Sequence, residues 1–525
     1  MTMSVLHINP EDNRVAGLIY LVTGLIVFHQ VFDMWFLSDD LVIFNLISFN
    51  PFGYVEGGFF RPLTDFTNWL TFKVFGYAAL PYKLGNLLLH IVNSWLVMLI
   101  ARVVFERSEV LRSRSFYNWL PLVTGMMFLI WPIRSETVFW GAGRASSLSF
   151  CFAALALLAY FRYRNGGKAI GLTGGLVSFF LALFCYESIF SLPLVVLAFE
   201  IWFRIGEKRE KPDKPSSWYP VIGFFVILGV YLAVRCSITS QLLGGYGSNL
   251  HTRFNLNILR NVLVYPFKIM IGAGLYSKVF FFSAAVLVSL IFSIVKLRFF
   301  SRNRWTIPSF WGVLMTAMYL ASLPVLNLSM SVSDTQFDRY LYWPSLFMIL
   351  VLIVFFGTII QNARTLKWLF IVLGIYALST TYIQGANWQK ASHQVKAVLT
   401  SINSLEKRDG RLIILNLPDH YCGAYLLRNG IHEGINFLCP ETNFRSVHLI
   451  GMHPIFDLES RVEVTEVENN LQVKLGDSAS SFFYEERSSD FFMVKPISDN
   501  HFEIEFSQLN EDDVVVYWSE GLQLW

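Results

Sequence analysis

The sequence has few charged residues for its length, and this shortage limits the classes of protein to which it can belong. Only 15% of its 525 residues are Asp, Glu, Lys or Arg, and 54% are hydrophobic. Soluble domains average about 25% charged residues. The formal net charge of +3 lacks the basic excess that nucleic-acid-binding proteins carry. We therefore expect an integral membrane protein with no nucleic-acid partner.

Cysteine is also scarce, and its placement excludes the common zinc and redox motifs. The five cysteines form no CxxC motif and no Cys/His metal spacing. Three of them (Cys151, Cys185 and Cys236) lie in or at the ends of apolar segments, where cysteine acts as a small apolar residue. For Cys422 and Cys439, near the end of the chain, a disulfide and two unpaired thiols are equally compatible with the sequence.

Long apolar segments fill the first three quarters of the chain and stop near residue 386. A segment of about twenty apolar residues can cross a hydrocarbon core of about 30 Å. About eleven such segments predict transmembrane helices: 15–35, 82–104, 119–133, 145–161, 169–186, 188–204, 218–235, 279–297, 306–325, 341–360 and 368–386. The first is too long and lacks the cleavage site of a signal peptide, so we expect it to be retained.

The remainder of the chain predicts a second, different domain. Short β-prone runs alternate with Asn, Asp, Gly and Pro turn residues; they cover 411–417, 461–467, 500–506 and 513–518. We expect an α-helical polytopic membrane domain over residues 1–400 and a small β-rich soluble domain over residues 401–525.

Lysine and arginine concentrate in alternate short loops, which predicts the orientation of the spans because such loops face the cytoplasm. The basic loops lie near 102–114, 162–168, 204–214, 296–304 and 364–367. The N-terminus is then cytoplasmic and the β-rich domain extracytoplasmic. Two long outward segments, 36–81 and 236–278, contain amphipathic patches that are typical of interfacial helices.

Several charged residues fall at the predicted outer boundary of the membrane: Asp39, Asp40, Glu136, Arg144, Glu187, Asp338 and Arg339. A carboxylate at such a place can act as a general base, and an arginine fork can bind the phosphate of a lipid. Simpler roles are also open. The Asp pair can end a helix in the headgroup region, the other acids can form structural salt bridges, and His90 can form an interhelical hydrogen bond.

A series of short motifs, in order along residues 15–400, resembles the GT-C class of membrane glycosyltransferases. The nearest resemblance is to the transmembrane and tetratricopeptide-repeat O-mannosyltransferases and their bacterial relatives. The motifs are Leu37-Ser38-Asp39-Asp40, Phe60-Arg61-Pro62-Leu63-Thr64, Pro81 through Asn93 with its Gly85-Asn86-Leu87-Leu88-Leu89-His90, Trp131-Pro132 through Gly143-Arg144, Tyr186-Glu187, Asp338 through Ser345, and Asn387-Trp388.

The resemblance implies roles for these residues. It assigns catalysis to Asp39 or Asp40 in the first outward loop, and donor or phosphate contacts to Arg144 and Arg339. The supporting residues would be Arg61, His90, Glu136, Glu187 and Asp338. The donor would be a sugar on dolichyl or another polyprenyl phosphate, and the acceptor a hydroxyl of a protein, glycan or lipid.

Three departures from the family pattern leave the acceptor open. Relatives commonly have His-Pro where this chain has Trp131-Pro132, and Lys-Glu where it has Tyr186-Glu187; a β-rich tail also replaces the repeat array.

Carboxylates near a lipid phosphate could hold Mg²⁺ or Mn²⁺. The expected location is a bacterial inner membrane or the endoplasmic reticulum membrane.

Two other classes of protein are alternatives to a glycosyltransferase. A transporter or lipid flippase would show paired repeats and ionisable groups near mid-membrane, whereas the charges here lie at one predicted boundary. A non-catalytic receptor or assembly protein would use the β-rich tail to bind its partners.

Overall fold

A computed structural model describes most of the chain. The described residues are 12–49, 59–210, 218–240, 256–272, 306–328, 330, 334–405, 409–439, 442, 444–467, 470–476 and 480–525. The helices within them are α1 (Asn13–Val27), α2 (Asp39–Phe49), α3 (Pro62–Phe75), α4 (Ala79–Phe105), α5 (Glu109–Arg112), α6 (Leu120–Ile130), α7 (Ser135–Phe139), α8 (Arg144–Arg164), α9 (Ala169–Leu183), α10 (Leu192–Glu210), α11 (Tyr219–Thr239), α12 (Leu256–Ile271), α13 (Thr306–Ser322), α14 (Pro344–Ile359), α15 (Ala363–Asn403) and α16 (Ile431–Leu438).

Five helical segments are long and apolar enough to cross a membrane: Ala79–Phe105, Gly141–Arg164, Glu187–Ile205, Tyr219–Thr239 and Ala363–Asn403. Each overlaps a predicted span. Five further predicted spans coincide with shorter apolar helices. The one remaining predicted span, 279–297, lies outside the described residues. The protein is thus an integral membrane protein, and the total of eleven spans stays a prediction.

Two predicted spans differ from the observed helices at their ends. The first was expected to reach residue 35, but α1 ends at Val27 and a 3₁₀ turn, His29–Asp33, follows. The last was expected to end at residue 386, but α15 continues to Asn403. The apolar run ends near residue 386, but the helix continues beyond it. Val395 and Leu399 of this continuation are buried in the core that the helices share with the C-terminal region.

The C-terminal region is β-rich, as predicted, and forms two sheets that pack face to face. The strands are β1 (Arg411–Tyr421), β2 (Ala424–Tyr425), β3 (Ser446–Ile455), β4 (Val462–Val467), β5 (Asn470–Leu475), β6 (Phe483–Tyr484), β7 (Ser488–Ser489), β8 (Phe492–Ser498), β9 (His501–Phe506), β10 (Val514–Trp518) and β11 (Leu522–Leu524). One sheet has the order β11-β10-β1-β3-β6, with β2 beside β1, and the other β4-β5-β9-β8-β7.

In the first sheet β1 runs parallel to both β3 and β10, while the second sheet is antiparallel. The alternation of side chains along a strand sends one face of each sheet inward. Ile413 and Ile450 of the first sheet therefore pack against Val473, Phe502 and Ile504 of the second. The opposite face of the first sheet is buried in the same core as the membrane helices, so the two parts of the chain share one hydrophobic interior.

The cysteines of the C-terminal region are both free. The Cys439 Sγ donates a hydrogen bond to the Leu399 carbonyl at 3.2 Å, and the Cys422 Sγ donates to the Phe456 carbonyl at 3.5 Å. Of the two alternatives that the sequence left open, the structure shows two unpaired thiols.

Candidate active site

A cavity of about 510 Å³ lies where the membrane helices meet the C-terminal domain. On the membrane side it is lined by residues of α2 and α3, by Trp140 and Ala142, and by Ala145 and Ser146 at the start of α8. On the other side it is lined by residues 428–433, together with Leu449, Glu485 and Glu486. Three residues of the predicted site, Asp39, Arg61 and Arg339, line this cavity.

Asp39 is the first residue of α2 and presents its carboxylate to the cavity. The preceding Ser38 has φ +43°, a left-handed conformation that is uncommon for residues other than glycine. The Ser38 N–H donates to the Leu426 carbonyl at 2.7 Å, and the Asn429 Nδ2 donates to the Asp39 Oδ1 at 2.6 Å. The C-terminal domain therefore holds the start of α2 in place.

Asp40 has different surroundings, although it is the next residue. Its carboxylate forms a buried ion pair with Lys83 and accepts hydrogen bonds from the N–H groups of Leu37 at 3.2 Å and Ala142 at 3.1 Å. Burial raises the pKa of Asp40, while Lys83 and the two N–H groups act in the opposite direction. A Cβ on Gly141 would lie 2.6 Å from the Asp40 Oδ1, so this turn packs tightly onto the carboxylate.

Arg339 lines the cavity, and its guanidinium donates to the Tyr340 hydroxyl at 3.1 Å. Its guanidinium pairs with the buried Glu136, and its backbone N–H donates to the Glu136 Oε2 at 2.7 Å. The guanidinium also lies 4.8 Å from the Trp140 ring centroid and 4.6 Å from that of Tyr340. These aromatic faces attract the guanidinium and help to fix its orientation.

Arg61 is the second arginine of the cavity wall. Its Nε lies 3.0 Å from Glu187, which is itself 3.7 Å from the buried Arg235. The Arg61 guanidinium lies 4.5 Å from the Tyr186 ring centroid. The carboxylates of Glu136 and Glu187 thus form the structural salt bridges that the sequence favoured for them, and each places an arginine at the cavity.

Arg144 does not line the cavity, although the resemblance placed it at the donor. Its guanidinium donates to the Thr71 Oγ1 at 2.8 Å, to the Asn86 Oδ1 at 3.2 Å, and to the carbonyls of Tyr82 at 3.1 Å and Thr67 at 3.2 Å. Arg144 thereby ties the start of α8 to α3 and α4.

His90 and Asp338 are also buried away from the cavity. His90 forms hydrogen bonds with the Tyr342 hydroxyl at 2.7 Å and with the Leu129 carbonyl at 2.9 Å, which are the interhelical contacts that its position suggested. Asp338 pairs with Lys268 at 2.8 Å. Burial raises the pKa of Asp338 to about 7, against the opposing effect of Lys268.

The sequence motifs missed the residues that the C-terminal domain adds to the cavity. Arg428 pairs with Asp419 through two hydrogen bonds of 2.7 and 2.5 Å, and it lines the cavity beside Asn429, His432 and Glu433. The Asn429-Gly430 dipeptide is a turn signal, but a turn signal carries no information on what the turn contacts about 390 residues away in sequence.

The sequence left open whether carboxylates hold a divalent cation. In the described part of the chain, no group of three or more His, Cys, Asp or Glu side chains is arranged to hold a metal ion. Mg²⁺ and Mn²⁺ are bound chiefly by clustered oxygen ligands. The carboxylates around the cavity do not form such a cluster.

Sequence comparisons place the chain near one group of enzymes. No family model matches it. It is 31% identical over 157 residues to Protein O-mannosyl-transferase Tmtc1 of Drosophila melanogaster (30% of this chain, 17% of that protein). It is 22% identical over 363 residues to a Protein O-mannosyl-transferase of Caenorhabditis elegans (63% and 47%), and 23% identical over 192 residues to Protein O-mannosyl-transferase TMTC3 of Mus musculus (36% and 17%).

Structural comparison finds ArnT from Cupriavidus metallidurans in two states. The apo form gives a TM-score of 0.44 at 12% identity and covers 76% of this chain and 82% of ArnT. The form bound to undecaprenyl phosphate gives 0.43 at 12% identity and covers 82% and 89%. Among the curated relatives, the alignments span less than half of each protein's length. The resemblance of this chain to the transmembrane and tetratricopeptide-repeat O-mannosyltransferases, which are glycosyltransferases, is confirmed.

Proposed function

We propose that this protein is a membrane glycosyltransferase that moves a sugar from a polyprenyl-phosphate donor, of the dolichyl-phosphate type, to a hydroxyl group of a protein, glycan or lipid. One observation carries the proposal: a carboxylate and two aromatic-braced arginines, Asp39, Arg61 and Arg339, line one cavity. The sequence similarity to O-mannosyltransferases supports the same class of reaction.

The proposed reaction is a single displacement at the anomeric carbon. Asp39 takes the proton of the acceptor hydroxyl, and the hydroxyl oxygen bonds to the anomeric carbon on the face opposite the phosphate. The bond between that carbon and the phosphate oxygen breaks, and its electron pair leaves with the lipid phosphate. The product sugar therefore has inverted configuration.

The arginines stabilise the departing phosphate. A guanidinium whose orientation is fixed before the reaction needs little rearrangement when negative charge develops on the leaving oxygen. We assign this contact to Arg339 and Arg61 and give Arg144 the role of holding α8 against α3 and α4. Asp40 positions the loop that carries Asp39, since its carboxylate is committed to Lys83 and two backbone N–H groups.

The proposed sidedness places the cavity at the outer boundary of the membrane. Lys83, beside the cavity, and Arg102, near the arginine-rich loop, lie on the same helix α4. Nineteen residues of helix separate them by about 28 Å at 1.5 Å per residue, close to the thickness of the hydrocarbon core. Because the arginine-rich end is expected on the cytoplasmic side, the cavity and the C-terminal domain would be extracytoplasmic.

The test uses the full-length protein in lipid vesicles with radiolabelled dolichyl-phosphate mannose and a membrane extract as the source of acceptors. We expect release of dolichyl phosphate and transfer of label to the protein, glycan or lipid fraction. Asp39→Asn should lower the rate by about 10²- to 10⁴-fold. The matched control is Asp33→Asn, which changes an exposed carboxylate on the 3₁₀ turn after α1 and should retain the rate.

Two results would contradict the proposal in different ways. Unchanged transfer by the Asp39→Asn variant would remove Asp39 from catalysis. Movement of the intact labelled lipid across the vesicle membrane, with no release of dolichyl phosphate by the unaltered protein, would favour the flippase alternative.

A further inference from the structure

The C-terminal domain contacts the residues around Asp39 through a short segment, residues 426–430. This segment makes backbone and side-chain contacts with the residues just before and at the start of α2. The Leu426 carbonyl accepts from the Ser38 N–H at 2.7 Å, and the Asn429 N–H donates to the Ser38 Oγ at 3.3 Å. The segment therefore contacts both the backbone and the side chain of Ser38, the residue with the left-handed backbone conformation.

Gly430 shows how closely the segment fits. Its φ of +87° favours glycine, and a Cβ there would lie 2.7 Å from the Ser38 carbonyl oxygen and 2.9 Å from the Leu41 Cβ. Contacts this short leave no room for a side chain. The close packing of Gly430 on Ser38 and Leu41 thus constrains the position of the neighbouring Asn429.

The side-chain amide of Asn429 contacts Asp39, the proposed general base, directly. Its Nδ2 donates to the Asp39 Oδ1 at 2.6 Å, a short hydrogen bond of the charge-assisted kind. A carboxylate has two oxygens, so this bond engages one and leaves the Oδ2 for an acceptor hydroxyl. Rotation of the Asp39 side chain away from the cavity would break the bond.

We infer that Asn429 is a positioning residue for Asp39, so that the C-terminal domain completes the catalytic site of the membrane domain. This inference rests on the proposed function. It assigns the β-rich domain a role in the reaction itself, through Asn429, a residue outside all the motifs that resemble those of the O-mannosyltransferases.

The experiment compares Asn429→Ala and Asn429→Asp with the unaltered full-length protein, using release of dolichyl phosphate from dolichyl-phosphate mannose with a fixed amount of the acceptor extract. Asn429→Asp keeps the shape of the side chain but replaces the N–H donor with an oxygen that repels Asp39. Hydrogen bonds to charged groups are worth about 1.5–3 kcal/mol, which corresponds to roughly a 10- to 100-fold effect on rate. We expect kcat to fall by that factor in Asn429→Ala, and by at least as much in Asn429→Asp, with the KM for the donor unchanged.

A fall in kcat at unchanged donor KM distinguishes a positioning role of Asn429 from a general structural role. If Asn429 only held the domains together, both variants would also raise the donor KM and lower the unfolding temperature, because Arg428 and His432 line the same cavity. The matched control is Asn470→Ala, which removes an equivalent bond in the second sheet, from the Asn470 Nδ2 to the Glu503 Oε1 at 2.7 Å. It should leave kcat as it is.

Each other outcome is decisive. An Asn429→Asp variant with the kcat of the unaltered protein, or one that changes only the donor KM, would overturn the positioning role and leave the proposed function intact. An unaltered protein that releases no dolichyl phosphate would overturn the proposed function and this inference together.

Discussion

The Asp40 carboxylate and the Lys83 ammonium form an ion pair in which the two side chains are 3% and 0% exposed. Removing one member of a buried pair leaves the other charge without compensation. The adjacent Asp39 instead faces the cavity. The two neighbouring aspartates should therefore respond differently to the same substitution.

We predict that Asp40→Asn destabilises the protein, whereas Asp39→Asn lowers activity at nearly constant stability. The loss for Asp40→Asn should be about 3–5 kcal/mol, the usual effect of breaking a buried pair. Thermal unfolding of the purified protein measures the difference. The double variant Asp40→Asn, Lys83→Met removes both charges and should recover part of the stability. Equal unfolding temperatures for the two single variants would contradict the separate roles.

Arg339→Lys tests the phosphate contact. Lysine keeps the charge but loses the planar fork that pairs with carboxylate and phosphate oxygens. We expect the donor KM to rise by about tenfold or more and kcat to fall, measured by release of dolichyl phosphate. The matched control is Arg461→Lys, which alters an exposed arginine paired with Glu520 at 2.6 Å and should change neither value. An Arg339→Lys variant with normal kinetics would exclude a phosphate contact that needs the guanidinium.

Gly430→Ala tests the fit of the 426–430 segment against the start of α2. The new methyl group would meet the Ser38 carbonyl oxygen at 2.7 Å, and the cost should be about 1–3 kcal/mol. Gly166→Ala is the control, because Gly166 has a similar φ of +93° with nothing within 4 Å of the added Cβ. Backbone strain alone would destabilise both variants equally, whereas the predicted contact makes Gly430→Ala the less stable in thermal unfolding.

We predict that acid destabilises the C-terminal domain because His453 is buried in it. Its side chain is 2% exposed, with the Phe482 and Trp518 rings 5.6 and 5.8 Å away, and burial lowers its pKa to about 4. The unfolded pKa is about 6.5, so the unfolded state binds a proton more readily. The neutral folded form is fully favoured above pH 6.5, and this stability is lost as the pH falls toward 4.

At pH 5 the loss from His453 should be about 2 kcal/mol. His420, whose pKa burial also lowers, should add to the effect. Unfolding temperatures at pH 7 and pH 5 measure it, and His453→Phe should reduce the difference between them. The control His501→Phe changes a partly exposed histidine on β9 and leaves His453 in place. A His453→Phe variant with the full acid sensitivity of the unaltered protein would contradict the prediction.

Much of the architecture could be predicted because the membrane imposes simple rules on sequence. The thickness of the hydrocarbon core demands long apolar segments, and ten of the predicted spans coincide with apolar helices. The β-prone runs between turn residues likewise identified four of the strands in the tail, those that begin at Arg411, Val462, His501 and Val514. The extension of α15 beyond residue 386 was missed, because a helix that leaves the bilayer to pack on another domain no longer needs an apolar composition all round.

The residues that follow the first span depend on tertiary structure for their roles. The sequence alone determined that two aspartates follow the first span, that the chain is a membrane protein, and that its motifs resemble those of O-mannosyltransferases. Only the tertiary structure decided that Asp39 faces the cavity while Asp40 is buried on Lys83, since adjacent residues at a helix start point in different directions. Only the tertiary structure brought Asn429 of the C-terminal domain to Asp39, because a contact across about 390 residues depends on how whole domains pack and leaves no local pattern in the sequence.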